Sequence, residues 1–189
     1  MISKMKWHAI HLQDVLPTPW RNGGGTTREL LAWPDSATWQ WRASVAEVAQ
    51  AGPFSSFAGV QRWFAVLDGD GVCLTVDEHL EILTKSDQPL AFDGAALTTC
   101  ELLGGVTQDF NLMVQGGASA RMQRVNHTFK TTTNTPKIIA AYTHKERVSM
   151  QIGSEFFELS PYSFGWTHVD ANTVIHVLAS DALLMEIDV

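Results

Sequence analysis

Along most of this chain, apolar and polar side chains alternate with a period of two, the repeat of a strand with one buried face. Trp39, Trp41, Ala43 and Val45 fall on one face, with Gln40, Arg42 and Ser44 on the other. The stretch 43–50 has helical propensity of its own, but it continues this alternation and runs into Gly52-Pro53. It therefore reads as the end of a strand followed by a turn. Residues 63–67 form an apolar run closed by Asp68-Gly69-Asp70-Gly71, after which residues 72–76 resume the run. This predicts a hairpin, because Asp-Gly supplies the positive φ that a tight turn needs. Further strands are predicted over 109–114, 137–142, 154–159, 173–179 and 182–187, with a β-favouring segment at 121–133. Turn residues at 115–118, 134–136 and 160–162 separate them. Many short strands at this spacing predict an all-β sandwich or barrel.

The chain has 189 residues, which suits one large domain or two small halves sharing a core. Hydrophobic residues make up 45% and charged residues 17%, enough apolar content to bury a core and to argue against disorder. No shift in composition marks a boundary, so the chain is read as one compact unit. Its halves, 1–105 and 106–189, meet near Gly104-Gly105. The net charge of −7 argues against a nucleic-acid footprint, which needs a basic face. Cys73 and Cys100 are too few for a disulfide framework or a cysteine zinc site, and both lie in apolar surroundings. The N-terminal stretch has lysines but no apolar run of signal-peptide length, and no run is long enough to span a bilayer. A soluble, cytoplasmic protein is expected.

The densest candidate chemistry is Pro19-Trp20-Arg21-Asn22-Gly23-Gly24-Gly25-Thr26-Thr27-Arg28-Glu29. Consecutive glycines expose backbone N–H groups and can cradle a small anion, or simply form a sharp entry into a strand. The Gly-Lys-Ser/Thr ending of a nucleotide phosphate loop is missing. Every cationic residue between Trp20 and Trp63 is an arginine (Arg21, Arg28, Arg42, Arg62), the side chain suited to planar carboxylate recognition and aromatic stacking. Pairing with Glu29, Glu47 or Asp35 on a sheet face is the plain alternative. Arg42 and Ser44 share a face, and if it points inward they need a partner or a ligand. The histidines form no His-x-His pair, and His8 and His11 fall on opposite faces of a short strand, so no metal site is proposed locally. No Gly-x-Ser-x-Gly elbow and no paired carboxylates suggest a catalytic group. Asp68 and Asp70 read as turn formers.

Taken together, several segments resemble the HutD/Ves family, bicupin-like proteins associated in bacteria with histidine utilisation. The resemblance rests on the Pro19 to Glu29 string, on Trp41-Arg42-Ala43-Ser44, and on Gly52-Pro53-Phe54-Ser55-Ser56-Phe57-Ala58-Gly59-Val60-Gln61-Arg62. It also rests on Asp109-Phe110-Asn111-Leu112-Met113. It covers roughly the first 115 residues and is diffuse beyond Gln115. It implies two packed cupin-like, jelly-roll β-barrels forming a bicupin. In a metal cupin a His-x-His and Glu cluster precedes the strand corresponding to 63–71. Here Phe54-Ser55-Ser56-Phe57 and Gln61-Arg62 stand in that place, so neither a metal nor another cofactor is expected.

The implied ligand is a small carboxylate intermediate of histidine breakdown, of the urocanate or formylglutamate type. The implied role is binding and modulation rather than catalysis. The expected contacts are Arg62 first, then Asn22, Arg42 and Asn111, with Phe110 as a stacking wall and Arg28 and Glu29 as further candidates. Gly23, Gly24, Gly25, Gly52 and Pro53 are read as turn formers. A metal-independent isomerase or hydrolase is the alternative, with Glu29 or His127 as its proton-transfer group. A third reading is a protein-interaction module, and edge strands are compatible with a homodimer.

Overall fold

The computed structural model describes residues 5–188; the first four residues of the N-terminal segment and Val189 lie outside the described residues. Strand β1 (His8–His11) leads through a helical turn at Leu12–Asp14 into ten strands. These are β2 (Thr18–Pro19), β3 (Gly25–Trp33), β4 (Trp41–Val48), β5 (Gly52–Pro53), β6 (Gln61–Asp68), β7 (Val72–Val76), β8 (His79–Leu83), β9 (Leu90–Asp93), β10 (Thr98–Leu102) and β11 (Thr107–Val114). Then follow β12 (Ser119–Val125), β13 (Thr128–Thr132), β14 (Lys137–Thr143), β15 (Val148–Ile152), β16 (Glu155–Leu159), β17 (Ser163–Val169), β18 (Val174–Leu178) and β19 (Ala182–Asp188). The protein is all-β, with no α-helix among the described residues. Among the described residues no helix is long and apolar enough to cross a membrane.

The chain divides into two units. The first is Val15–Ala118, and the second joins Met1–Asp14 to Ser119–Val189. The expected meeting point at Gly104-Gly105 is not the boundary. Those glycines feed β11, which pairs with β4 on one side and β6 on the other and so belongs to the first unit. The strand β1 pairs with β17 in the second unit. The β-favouring segment 121–133 is two strands, broken at Asn126-His127.

In the first unit a six-stranded antiparallel sheet runs β2-β3-β4-β11-β6-β9 and a four-stranded one runs β5-β10-β7-β8. Pairings nest about the β7–β8 hairpin: β6 with β9, β5 with β10, β4 with β11. Val48, Phe64, Val66, Val72, Leu74, Leu83 and Cys100 fill the space between the sheets. The opposite face of the large sheet is buried too, with Trp41, Ala43, Phe110 and Leu112 fully enclosed. Burial on both faces explains why these strands read as near-continuous apolar runs.

The second unit repeats the nesting with β15–β16, β14–β17, β13–β18 and β12–β19. Its sheets run β1-β17-β14-β19-β12 and β13-β18-β15-β16. Its interior is apolar, built from side chains such as Ile139, Met150, Ile152, Ile175 and Leu184. The Trp7 ring lies so close to Gly165 that a Cβ there has no room, which is why β17 carries a glycine at this point.

Candidate functional site

The central strand β11 sets the site. Its Asn111 lies opposite Ser44 of β4 and Phe64 of β6, and its Met113 lies opposite Arg42 and Arg62. Strand alternation turns all of these to the inner side of the large sheet. They line a cavity of about 580 Å³, closed further by Pro19, Trp20, Arg21 and Asn22 from the β2–β3 segment and by Pro53, Phe54, Ser55 and Phe57. The inward placement of Arg42 and Ser44, left open by the sequence, is thereby settled.

Arg62 is only 6% exposed. One terminal nitrogen donates a 2.8 Å hydrogen bond to Asn111 Oδ1, while its buried Nε has no partner. The guanidinium sits 5.1 Å from the ring centres of Phe54 and Phe92 and 5.9 Å from that of Phe57, a cation–π enclosure. Burial, and then the charge of Arg42, pull its pKa down to about 10, so it stays cationic at neutral pH. Arg42 lies over Trp39, 5.7 Å from the ring centre, and its Nε is 2.9 Å from Glu29 Oε2, a partner whose side chain is 41% exposed.

The glycine-rich segment shapes the rim. Gly23 has φ +72°, Gly24 N–H donates to Asn22 Oδ1 at 3.0 Å, and Gly25 abuts the Glu47 carbonyl with no room for a Cβ. The Trp20 indole is held by a 2.8 Å bond to Thr27 Oγ1. These contacts give Gly23 and Gly24 their turn role, whereas Gly25, also expected as a turn former, is the first residue of β3, paired with Val48. Gly52 pairs with Cys100, whereas Pro53 lines the cavity.

Of the expected contacts, Arg62, Asn22, Arg42 and Asn111 line the cavity. Phe110 does not: it is fully buried on the opposite strand face, in register with Val45 and Ala65. Arg28 also lies off the wall, donating to the Val15 carbonyl, and Glu29 is engaged with Arg42 rather than lining the space. His127 belongs to the second unit and bonds Asn126. The aromatic walls are instead Trp20, Phe54, Phe57 and Phe64. No histidine, cysteine or carboxylate lines the cavity, and no cluster of three such groups exists among the described residues, so this donor set does not fit a metal.

One group escaped the sequence analysis. Asp109 lies on the same face as Asn111, in register with Ala46 and Val66, and is wholly buried. Thr107 Oγ1 donates to its Oδ2 at 2.7 Å, and Oδ1 has no partner. Burial pushes its pKa up to about 7 against the opposing effect of the Thr107 bond.

Comparisons with known proteins agree with this architecture. A 21.2 kDa protein in the hutC 3′ region of Pseudomonas putida is 38% identical over 160 residues, covering 81% of this chain and 82% of that one. The structure of HutD from Pseudomonas fluorescens SBW25, in a formate condition, superposes with TM-score 0.80 at 29% identity, covering 96% of this chain and 98% of that one. Oxalate decarboxylase from Lactobacillus farciminis, as a formate complex, shares the fold alone, with TM-score 0.65 at 6% identity over 99% of this chain and 86% of that one. The model of the family described as HutD matches residues 12–185, well beyond the point where the motifs become diffuse. This all-β, cupin-like chain therefore belongs to the HutD family.

Proposed function

We propose that the first unit binds a small carboxylate, held by Arg62 with Asn111 beside it and flanked by aromatic walls. The observation that carries this reading is a buried guanidinium whose partner is neutral and whose Nε is unpaired. A buried cation without a counter-charge costs several kcal/mol, on the order of 3–5 when a partner is lacking, and an anion in the cavity removes that cost. Three arginines and no carboxylate line the space, in a chain whose net charge is −7. A bidentate guanidinium suits a carboxylate, and the rings suit a flat body.

Membership of the HutD family and the hutC-region relative support a link to histidine utilisation. On that basis the ligand is a carboxylate intermediate of histidine breakdown, of the urocanate or formylglutamate type, and the protein modulates the pathway. The nested strand order in each unit supports reading the chain as two jelly rolls, a bicupin. Binding is favoured over turnover because no proton-transfer side chain lines the cavity.

Calorimetric titration of metal-stripped protein with urocanate, formylglutamate and a plain dicarboxylate tests the reading. Selective binding of a histidine-pathway acid is expected. Binding of none of them removes the carboxylate site, and turnover of either acid replaces binding with catalysis.

A further inference from the structure

Beneath Asn111 lies a carboxyl group that the binding site itself does not use. Asp109 precedes Asn111 by two residues on one strand face, a separation of about 6.8 Å along an antiparallel strand. Ala46, its register partner on β4, lines the cavity, so Asp109 stands in the row beside that wall without itself lining it. It is fully enclosed, and Oδ1 has no hydrogen-bond partner. The neighbouring rows of β4, β6 and β10 offer Ala46, Val66 and Cys100, and β11 itself offers the Thr107 hydroxyl. None carries a charge at neutral pH, since burial pushes the Cys100 thiol up to about 12. The acids nearest along the sheet, Glu47 and Asp68, both pair with Gln108 and so share its opposite face. Arg62, further along β6, is bonded to Asn111.

We infer that Asp109 links the cavity to protons: an anion seated on Arg62 and Asn111 draws a proton onto Asp109, so the site holds its ligand more tightly in weak acid than in weak base. The inference rests on the carboxylate reading above. A ligand carboxylate on Asn111 and the enclosed Asp109 carboxylate, neighbours on one strand face, repel, and protonating Asp109 removes the repulsion. Linkage makes the effect reciprocal: ligand favours the protonated acid, and the protonated acid favours ligand. Burial already places the titration of Asp109 near pH 7, where this coupling has its greatest effect.

The test uses the full chain and formylglutamate, whose carboxylates remain ionised from pH 6 to 8.5. Affinity is expected to fall by about tenfold across that range, and calorimetry in two buffers of different ionisation enthalpy should show a fraction of a proton taken up on binding between pH 7 and 8. In Asp109→Asn both the slope and the uptake disappear, while binding itself persists. Wild-type binding that is flat with pH and takes up no proton overturns the coupling and leaves the carboxylate site standing. A slope that survives in Asp109→Asn also overturns it, assigning the proton elsewhere. No binding at any pH overturns the site and the coupling together. Proton uptake is read on the wild type alone, so the test stands even if the variant does not fold.

Discussion

At the scale of single residues, Arg62 and Asp109 carry charge chemistry into a core that would be more stable without it. Replacing Arg62 with alanine is expected to weaken carboxylate binding by about 2 kcal/mol, the loss of a charge-assisted pair, as read by titration calorimetry. Arg62→Leu goes further. It removes the same incompletely partnered buried cation and fills its place with apolar bulk, so it should weaken binding at least as much while raising unfolding stability by about 1–3 kcal/mol in urea. A stability loss on Arg62→Leu would mark the guanidinium as a structural pillar instead. For Asp109 the sign follows from its raised pKa. An unfolded chain ionises this carboxyl near 3.8 and the folded one near 7, so the folded protein holds an extra proton between those values. Stability conferred by the neutral acid is complete below pH 4 and is lost as pH rises to about 7, a change on the order of 4 kcal/mol. Asp109→Asn should lack that slope in urea melts and exceed the wild type at pH 8. Alternation already places Phe110 and Asn111 on opposite faces, so the sequence itself argued against Phe110 as a wall beside Asn111. The inward turn of Arg42 was not legible, because period two separates faces without saying which is buried. Asp109 was illegible for a related reason: its perturbation comes from enclosure by β4, β6 and β10, which no local pattern reports.

At the scale of elements, most doubly buried strands and the edge strand β16 were readable, whereas the internal strands β3 and β17 and the edges β8 and β9 were not singled out. Strands β4, β6, β11, β14 and β19 are apolar because both of their faces are buried. Strand β8 lies at a sheet edge with Leu80 and Ile82 exposed and so shows no inward-facing apolar pattern, whereas β9 turns Leu90 and Phe92 inward but is only four residues long, too short for its alternation to stand out. Glycine positions give a sharp test of local construction. A Cβ at Gly25 overlaps the Glu47 carbonyl across the β3–β4 pair and crowds Trp20, so Gly25→Ala should cost about 2 kcal/mol or more in chemical denaturation and weaken ligand binding at the rim. Gly52→Ala, with no atom within 4 Å of the added carbon, should be near neutral. Equal effects of the two substitutions would contradict this account of the β3 entry.

At the scale of the whole molecule, one strand order is used twice with different interiors. The second unit fills its space with Ile139, Met150, Ile152 and Ile175, whereas the first places Arg62, Ser44 and Asn111 on its inner face. The boundary between the units escaped the sequence because β11 returns between β4 and β6 and β1 joins β17, so neither unit is a simple half of the chain. Because the cavity offers guanidinium and amide donors but no metal ligands, adding zinc or manganese to chelator-treated protein should leave its carboxylate affinity unchanged within twofold. The measurement that bears most directly on the central claim is a crystal structure of the protein with a bound histidine-pathway carboxylate. The account predicts a carboxylate group within about 3 Å of Arg62 and Asn111, its body against Phe54 and Phe57. A ligand seated elsewhere, with Arg62 still bonded only to Asn111, would contradict it.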